Sequence, residues 1–353
     1  MSELIPVFDG HNDLLLRLWR AAPEDRDRMW VEGGAGGHLD LPRMRQGGFA
    51  GGLFAIFVPS PGALGLDMML GKESYCLPLP DPIPAGEALR PAMEMAGLLL
   101  RLERASAGAL RVCRTADEIR TCMAEGVIAA VMHMEGAEAI GVDLDALHLL
   151  HAAGLRSLGP VWSRPTIFAH GVPFAFPSDP DTGPGLTEAG RDLVRECETL
   201  RMVIDLSHMN AAGFEDVARL TTGPLVASHS NAHAISPSSR NLTDRQLDQI
   251  RERDGIVGVN FATSFLRTDG QSNPDTGWET MLRHMDYLIE RLGEDHVGIG
   301  SDFDGATIPT PIGDVAGLPA LTAAMQAHGY DAELMAQLCR LNWVAVLERT
   351  WGA

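Results

Sequence analysis

Six short apolar runs in this chain each end at a residue able to bind a metal or move a proton, and this pattern restricts the fold more than any other feature. Ile5 to Phe8 leads into Asp9-Gly10-His11-Asn12-Asp13, and Val127 to Met132 into His133-Met134-Glu135. Met202 to Leu206 is followed by Ser207-His208, and Leu225 to Ala227 by Ser228-His229. Gly255 to Val259 stops at Asn260, and Val297 to Gly300 at Ser301-Asp302. Runs this short, rich in β-branched or small residues and bounded by Gly or polar positions, suit strands buried on both faces. Reactive side chains gathered at the carboxyl ends of many buried strands are the way a (β/α)8 barrel builds its site.

Two more runs bring the strand count to eight: Pro6–Asp9, Gly52–Val58, Val127–Met132, Leu155–Val161, Met202–Leu206, Leu225–Ala227, Ile256–Asn260 and Val297–Gly300. Helical spacing between them, as in Leu89 to Arg104 and Gly190 to Arg201, predicts the alternating helices. Thr115 with Glu118, and Thr243 with Gln246, have capping-box spacing. Asp331 to Val346 reads as a closing helix. Two stretches, Pro59 to Pro91 and Ser163 to Gly185, are too rich in Pro and Gly for regular helix. Each follows a strand, which places them as loop insertions on the active-site face. With 353 residues, 45% of them hydrophobic, and no low-complexity linker, the expectation is one TIM-barrel domain spanning 1–353, of the metal-dependent hydrolase type.

A formal charge of −19 argues against nucleic acid, which needs clustered Lys and Arg, and against an anionic membrane surface. Cys76, Cys113, Cys122, Cys197 and Cys339 are odd in number and lack C-x-x-C spacing, so they read as buried thiols. No run has the length of a membrane span. The expected compartment is the cytoplasm.

His11 and Asp13 stand two apart at a strand end, a spacing that sends both side chains to one face. Imidazole and carboxylate together suit Zn²⁺. An unpaired Glu135 after a buried strand is costly unless a cation neutralises it. Three histidines (His11, His208, His229), Asp13 and Glu135 suffice for two metals if one carboxylate bridges. Such a pair, roughly 3.5–4 Å apart, holds a hydroxide and polarises the carbonyl it attacks. Asp302 then serves as the acid–base group, taking the proton of that water and passing it to the leaving amine. Asn260 is a candidate substrate contact. His133 and His233 are read as structural.

These residues, with Leu41-Pro42-Arg43-Met44-Arg45-Gln46-Gly47-Gly48, Gly185-Leu186-Thr187, Ser239-Arg240-Asn241-Leu242-Thr243-Asp244 and Ile299 to Gly305, resemble the membrane dipeptidase (renal dipeptidase) family, M19, of the amidohydrolase-like barrels. The resemblance implies a zinc-dependent dipeptidase that tolerates a D-residue on the carboxyl side of the scissile bond, and a homodimer. It implies that His11 and Asp13 bind one Zn²⁺, that His208 and His229 bind the other, and that Glu135 bridges. It assigns Asp302 to catalysis and Arg240 to the substrate carboxylate. Where the family has a substrate-contacting histidine this chain has Trp162, in Pro160-Val161-Trp162-Ser163. An indole donates one hydrogen bond and carries no charge, so His170 is the alternative source of an imidazole. Two other functions fit these features: hydrolysis of another small amide (an N-acyl amino acid or a lactam), or a metal-binding relative without activity.

Overall fold

A computed structural model describes residues 4–62 and 71–352. All eight predicted strands are present, with shifted ends: β1 Val7–Asn12, β2 Phe49–Phe57, β3 Ile128–Glu135, β4 Leu155–Gly159, β5 Val203–Ile204, β6 Val226–Ser230, β7 Ile256–Val259 and β8 Val297–Ile299. They pair in parallel in the order β5-β4-β3-β2-β1-β8-β7-β6. An Asp205↔Val226 bridge and the Leu206 N–H donating to Val226 O at 2.8 Å close the ring between β5 and β6. The chain is therefore a (β/α)8 barrel with helices between the strands.

Capping chemistry sets the helix starts. Thr115 Oγ1 accepts from the Glu118 N–H while Glu118 accepts from the Thr115 N–H, both at 3.2 Å, opening the helix Ala116–Glu125. Such caps are worth about 1 kcal/mol. Gln246 accepts from the Thr243 N–H at 2.9 Å ahead of Asp244–Glu252. The expected closing helix is three segments, Ala332–Ala336, a π-type turn at Gln337–Leu341, and Asn342–Trp351. It sends the fully buried Trp343 into the barrel floor, where the indole N–H donates to Ile299 O at 2.8 Å. A Cβ at Gly258 would collide with the Ser228 carbonyl and crowd this indole, so β6, β7 and Trp343 pack closely because that position is glycine.

Two expectations need correction. The first Pro-rich stretch was expected to be non-helical up to Pro91, yet the helix Ala85–Ala105 contains Pro91. Pro91 lies past the first turn and forgoes the backbone bond to the Glu87 carbonyl, and the helix runs through it at that cost. The thiols are not all buried: Cys76 is exposed, because it lies in a two-residue strand on an insertion. That strand, Tyr75–Cys76, pairs antiparallel with Ala175–Phe176 of the second insertion. The Leu77 N–H donates to Phe174 O at 2.9 Å, and Tyr75 Oη to Gly270 O at 2.9 Å. The insertions after β2 and β4 thus join, with the loop after β7, into one cap. Part of the first insertion, 63–70, lies outside the described residues.

Candidate active site

The carboxyl ends of β1, β3, β5, β6, β7 and β8 bring their polar residues to one buried point. Glu135, the last residue of β3, is central. Its Oε1 lies 2.9 Å from His208 Nε2 and 3.4 Å from His229 Nε2, and its Oε2 lies 3.8 Å from His11 Nε2. Asp13 Oδ2 is 3.4 Å from His11 Nε2. His11 also groups with Asp13 and Asp302, and with Glu135 and His229, each set having its donor atoms within 4.8 Å of one another. Asp13 is not on the strand. It caps the helix Leu14–Arg20 with φ −107° and ψ 28°, so the turn out of β1, rather than strand alternation, aims it at His11.

Three histidine nitrogens and three carboxylates meet here, all buried from solvent, and the electrostatics reflect it. Burial pushes the Glu135 carboxyl well above its ordinary range, with the Asp13 and Asp302 charges adding and His11 opposing. Burial would lower His11, but the Glu135, Asp13 and Asp302 carboxylates outweigh it and raise it to about 10. Burial holds His208 and His229 far below their ordinary value, with Arg240 and His11 adding to the effect. Both are therefore neutral imidazoles, the ligand form. Their Nδ1 atoms are 2.8 Å from Ser163 Oγ and 2.7 Å from Ser228 Oγ, which leaves each Nε2 turned to Glu135. Neither ring nitrogen of buried His11 has a hydrogen-bond partner. A buried carboxylate cluster beside neutral His208 and His229 and the unpartnered nitrogens of His11 fits divalent cations, which would replace the His11 proton as the positive charge and use the imidazole lone pairs.

Two of these positions have unusual backbone. His208 and Asp302 have φ of 66° and 59°, a left-handed conformation that non-glycine residues adopt mainly where surroundings enforce it. Asp304 also has φ 66° and accepts from Arg17 Nε at 2.9 Å and from the His38 N–H. Gly305 passes so close that a Cβ there would strike both Asp13 and Asp302. Asn260 Nδ2 donates to Asp302 Oδ2 at 3.0 Å. Burial raises the Asp302 carboxyl above its ordinary value, while His11 and the Asn260 bond lower it.

Arg240 enters from the loop after β6. It is 3% exposed and donates to Ser230 Oγ at 2.9 Å and to His229 O at 2.8 Å. Its Nε has no partner, and burial pushes it down to about 10 despite Asp302 and Glu135; it stays cationic at neutral pH. Trp162 is buried against His208, with centroids 5.7 Å apart. His170 is half-buried, and its carbonyl accepts from the Asn210 N–H. His233 bonds the Ser178 carbonyl at 2.8 Å. His133 packs edge-on against His11, bonds Ser157 Oγ at 2.9 Å and lies 3.6 Å from Asp205.

Asp205, Ser163 and Ser228 were missed from the sequence. Asp205 accepts from Ser228 N at 2.8 Å and Ser228 Oγ at 2.5 Å, and so orders the hydroxyl that meets His229. Burial works against its charge, but His133 and the Ser228 donors hold it below the ordinary range. A hint was available for Ser228, which directly precedes His229, but the same pattern in Ser207-His208 misleads, because the partner of His208 is Ser163.

Fold and site define a metallohydrolase-type barrel with its reactive groups at the strand carboxyl ends. The profile of the membrane dipeptidase family, peptidase family M19, matches residues 1–351, and the chain belongs to that family, for which a metal cofactor is implied. A solved metallopeptidase from Rhodobacter sphaeroides, liganded with a phosphinate mimic of the dipeptide L-Ala-D-Ala, is 64% identical with a TM-score of 0.97, over 99% of this chain and 100% of its own. An uncharacterised Klebsiella pneumoniae protein from the pqqA 5′ region is 48% identical over 266 residues, 75% of this chain and 98% of its own. Dipeptidase tcpJ of Claviceps purpurea is 27% identical over 344 residues, 96% of this chain and 76% of its own.

Proposed function

We propose that the chain, as a single domain, is a zinc-dependent dipeptidase. His11 and Asp13 would hold one Zn²⁺, His208 and His229 a second, and Glu135 both. Bound there, the ions supply Lewis-acid polarisation of the scissile carbonyl and a nucleophile at neutral pH. Asp302, backed by Asn260, takes the proton of the attacking water and returns it to the leaving amine. Arg240 receives the substrate's terminal carboxylate, for which its planar fork is suited, and Trp162 forms a wall of the pocket. The observation that carries this reading is the buried meeting of Glu135 with three imidazole nitrogens beside the unpartnered Arg240 Nε.

Tolerance of a D-residue at the C-terminal position is supported by the L-Ala-D-Ala mimic bound to the 64% identical relative. The reading also carries the expectations of a cytoplasmic homodimer. Among the described residues no helix is long and apolar enough to cross a membrane. Metal content together with turnover of L,L and L,D dipeptides tests the proposal. Two zinc ions per chain and cleavage of both series are expected; two metals with no dipeptide cleaved would defeat the peptidase assignment.

A further inference from the structure

A continuous strip of aromatic rings joins Arg240 to His208. The Arg240 guanidinium lies over Phe265 at 5.8 Å, and Phe265 stacks on Phe174 at 6.0 Å. Phe174 meets Trp162 edge-on at 5.5 Å and His208 at 6.3 Å. Trp162 and Phe265 are buried, whereas Phe174 is half-buried. The Phe174 ring, with Leu77, Pro80, Trp162, Ser163 and Pro173, lines a crevice of only about 10 Å³, too small for a side chain. The backbone around Phe174 is held from two directions. Its carbonyl accepts from the Leu77 N–H, and Ser239 Oγ donates to Pro173 O at 2.5 Å and accepts from the Ala175 N–H at 3.3 Å.

The inference rests on the dipeptidase reading above. A dipeptide with its carboxylate at Arg240 and its scissile carbonyl near His208 has only one residue to cross that gap, about 3.3–3.6 Å of chain. The side chain of that C-terminal residue then lies along the strip. We propose that Phe174 sets the size limit for this side chain: its half-buried ring takes up the space between Phe265 and His208 and keeps the subsite small. The device belongs to the cap, because Phe174 precedes the strand Ala175–Phe176 that pairs with the first insertion.

The test compares kcat/KM of the zinc-loaded enzyme for Ala-Ala, Ala-Phe and Phe-Ala in wild type, Phe174→Ala and Phe174→Leu. Removing the ring should raise the Ala-Phe to Ala-Ala ratio by about tenfold or more in F174A, the scale on which a few methylenes of pocket space discriminate, and by less in F174L. The Phe-Ala to Ala-Ala ratio should stay within about twofold, since its bulk is on the other side of the bond. Equal movement of both ratios, or of neither, overturns the size-limit role while leaving the dipeptidase reading intact. A wild-type enzyme that cleaves none of the three overturns both.

Discussion

The Asn260 side-chain amide donates to Asp302 Oδ2 at 3.0 Å while its own backbone N–H is held by Asn231 Oδ1 at 3.1 Å. The donor is thus fixed before substrate arrives, and it favours the ionised form of a carboxyl that burial pushes the other way. Asn260→Ala removes that bond and should raise the Asp302 pKa. The acidic limb of the kcat–pH profile should move to higher pH, with activity recovering as pH rises. Asp302→Asn should lower kcat by about 10²–10⁴-fold at every pH, the usual span for a general base.

Arg240 tests the carboxylate contact. Arg240→Ala should reduce kcat/KM for free dipeptides by about 10²-fold or more, as loss of one partner of a buried charged pair costs about 2–5 kcal/mol. Dipeptide amides, which lack the charge, should be poor substrates for wild type and variant alike. Arg240→Lys should recover little, because an ammonium lacks the planar fork. Equal losses on acids and amides would rule out the assignment.

Chelation should abolish activity, and Zn²⁺ should restore it. Glu135→Gln should lower the metal content measured by elemental analysis and eliminate turnover. In the metal-free state the same variant should melt higher than wild type at neutral pH. Burial and the Asp13 and Asp302 charges disfavour ionised Glu135, and a neutral amide avoids that cost. A metal-free E135Q protein that melts lower would contradict the electrostatic account.

His284 offers a pH test away from the candidate ligands. Its Nδ1 accepts from the Ala232 N–H at 3.2 Å and its Nε2 donates to Leu266 O at 2.9 Å, so the neutral tautomer is fully paired. Burial pushes it down to about 4 from an ordinary 6.5. A depressed folded pKa contributes stability that is present above pH 6.5 and lost as pH falls towards 4, up to about 3 kcal/mol. Denaturant titrations should show His284→Gln less stable at pH 7 and flatter between pH 6.5 and 4. A parallel pair of profiles would refute this.

Arg164 and Glu138 form an ion pair with both side chains buried, at 2.8 Å, and the guanidinium lies 5.6 Å from the Trp162 ring. Arg164→Met should cost about 3–5 kcal/mol by leaving Glu138 unpaired, and the double change with Glu138→Met should cost less. Chemical denaturation of the three proteins measures both.

How much was legible depended on the range of the interaction. Strand runs and capping boxes are local signals, and a side chain's type is enough to mark it as a possible ligand. The eight runs, the Thr115–Glu118 box and the reactive residues at run ends therefore showed in the chain itself. The left-handed turns at His208 and Asp302 did not, because nothing in Ser207-His208 or Ser301-Asp302 demands a positive φ. The helix over Leu89 to Arg104 was legible, but its start at Ala85 was not, because it lies within the Pro-rich stretch.

Taken alone, the order of residues along the chain determined a barrel with histidines, carboxylates and an arginine at its strand ends, since hydrophobic periodicity and donor chemistry are properties of short segments. Only the folded ring decided that Glu135 stands among His11, His208 and His229, that Asp205 orders the serine beside His229, and that two Pro-rich loops pair over Trp162 and Phe174. Those relationships join residues up to 124 positions apart, and distances of that kind are set by strand closure and packing rather than by any local preference.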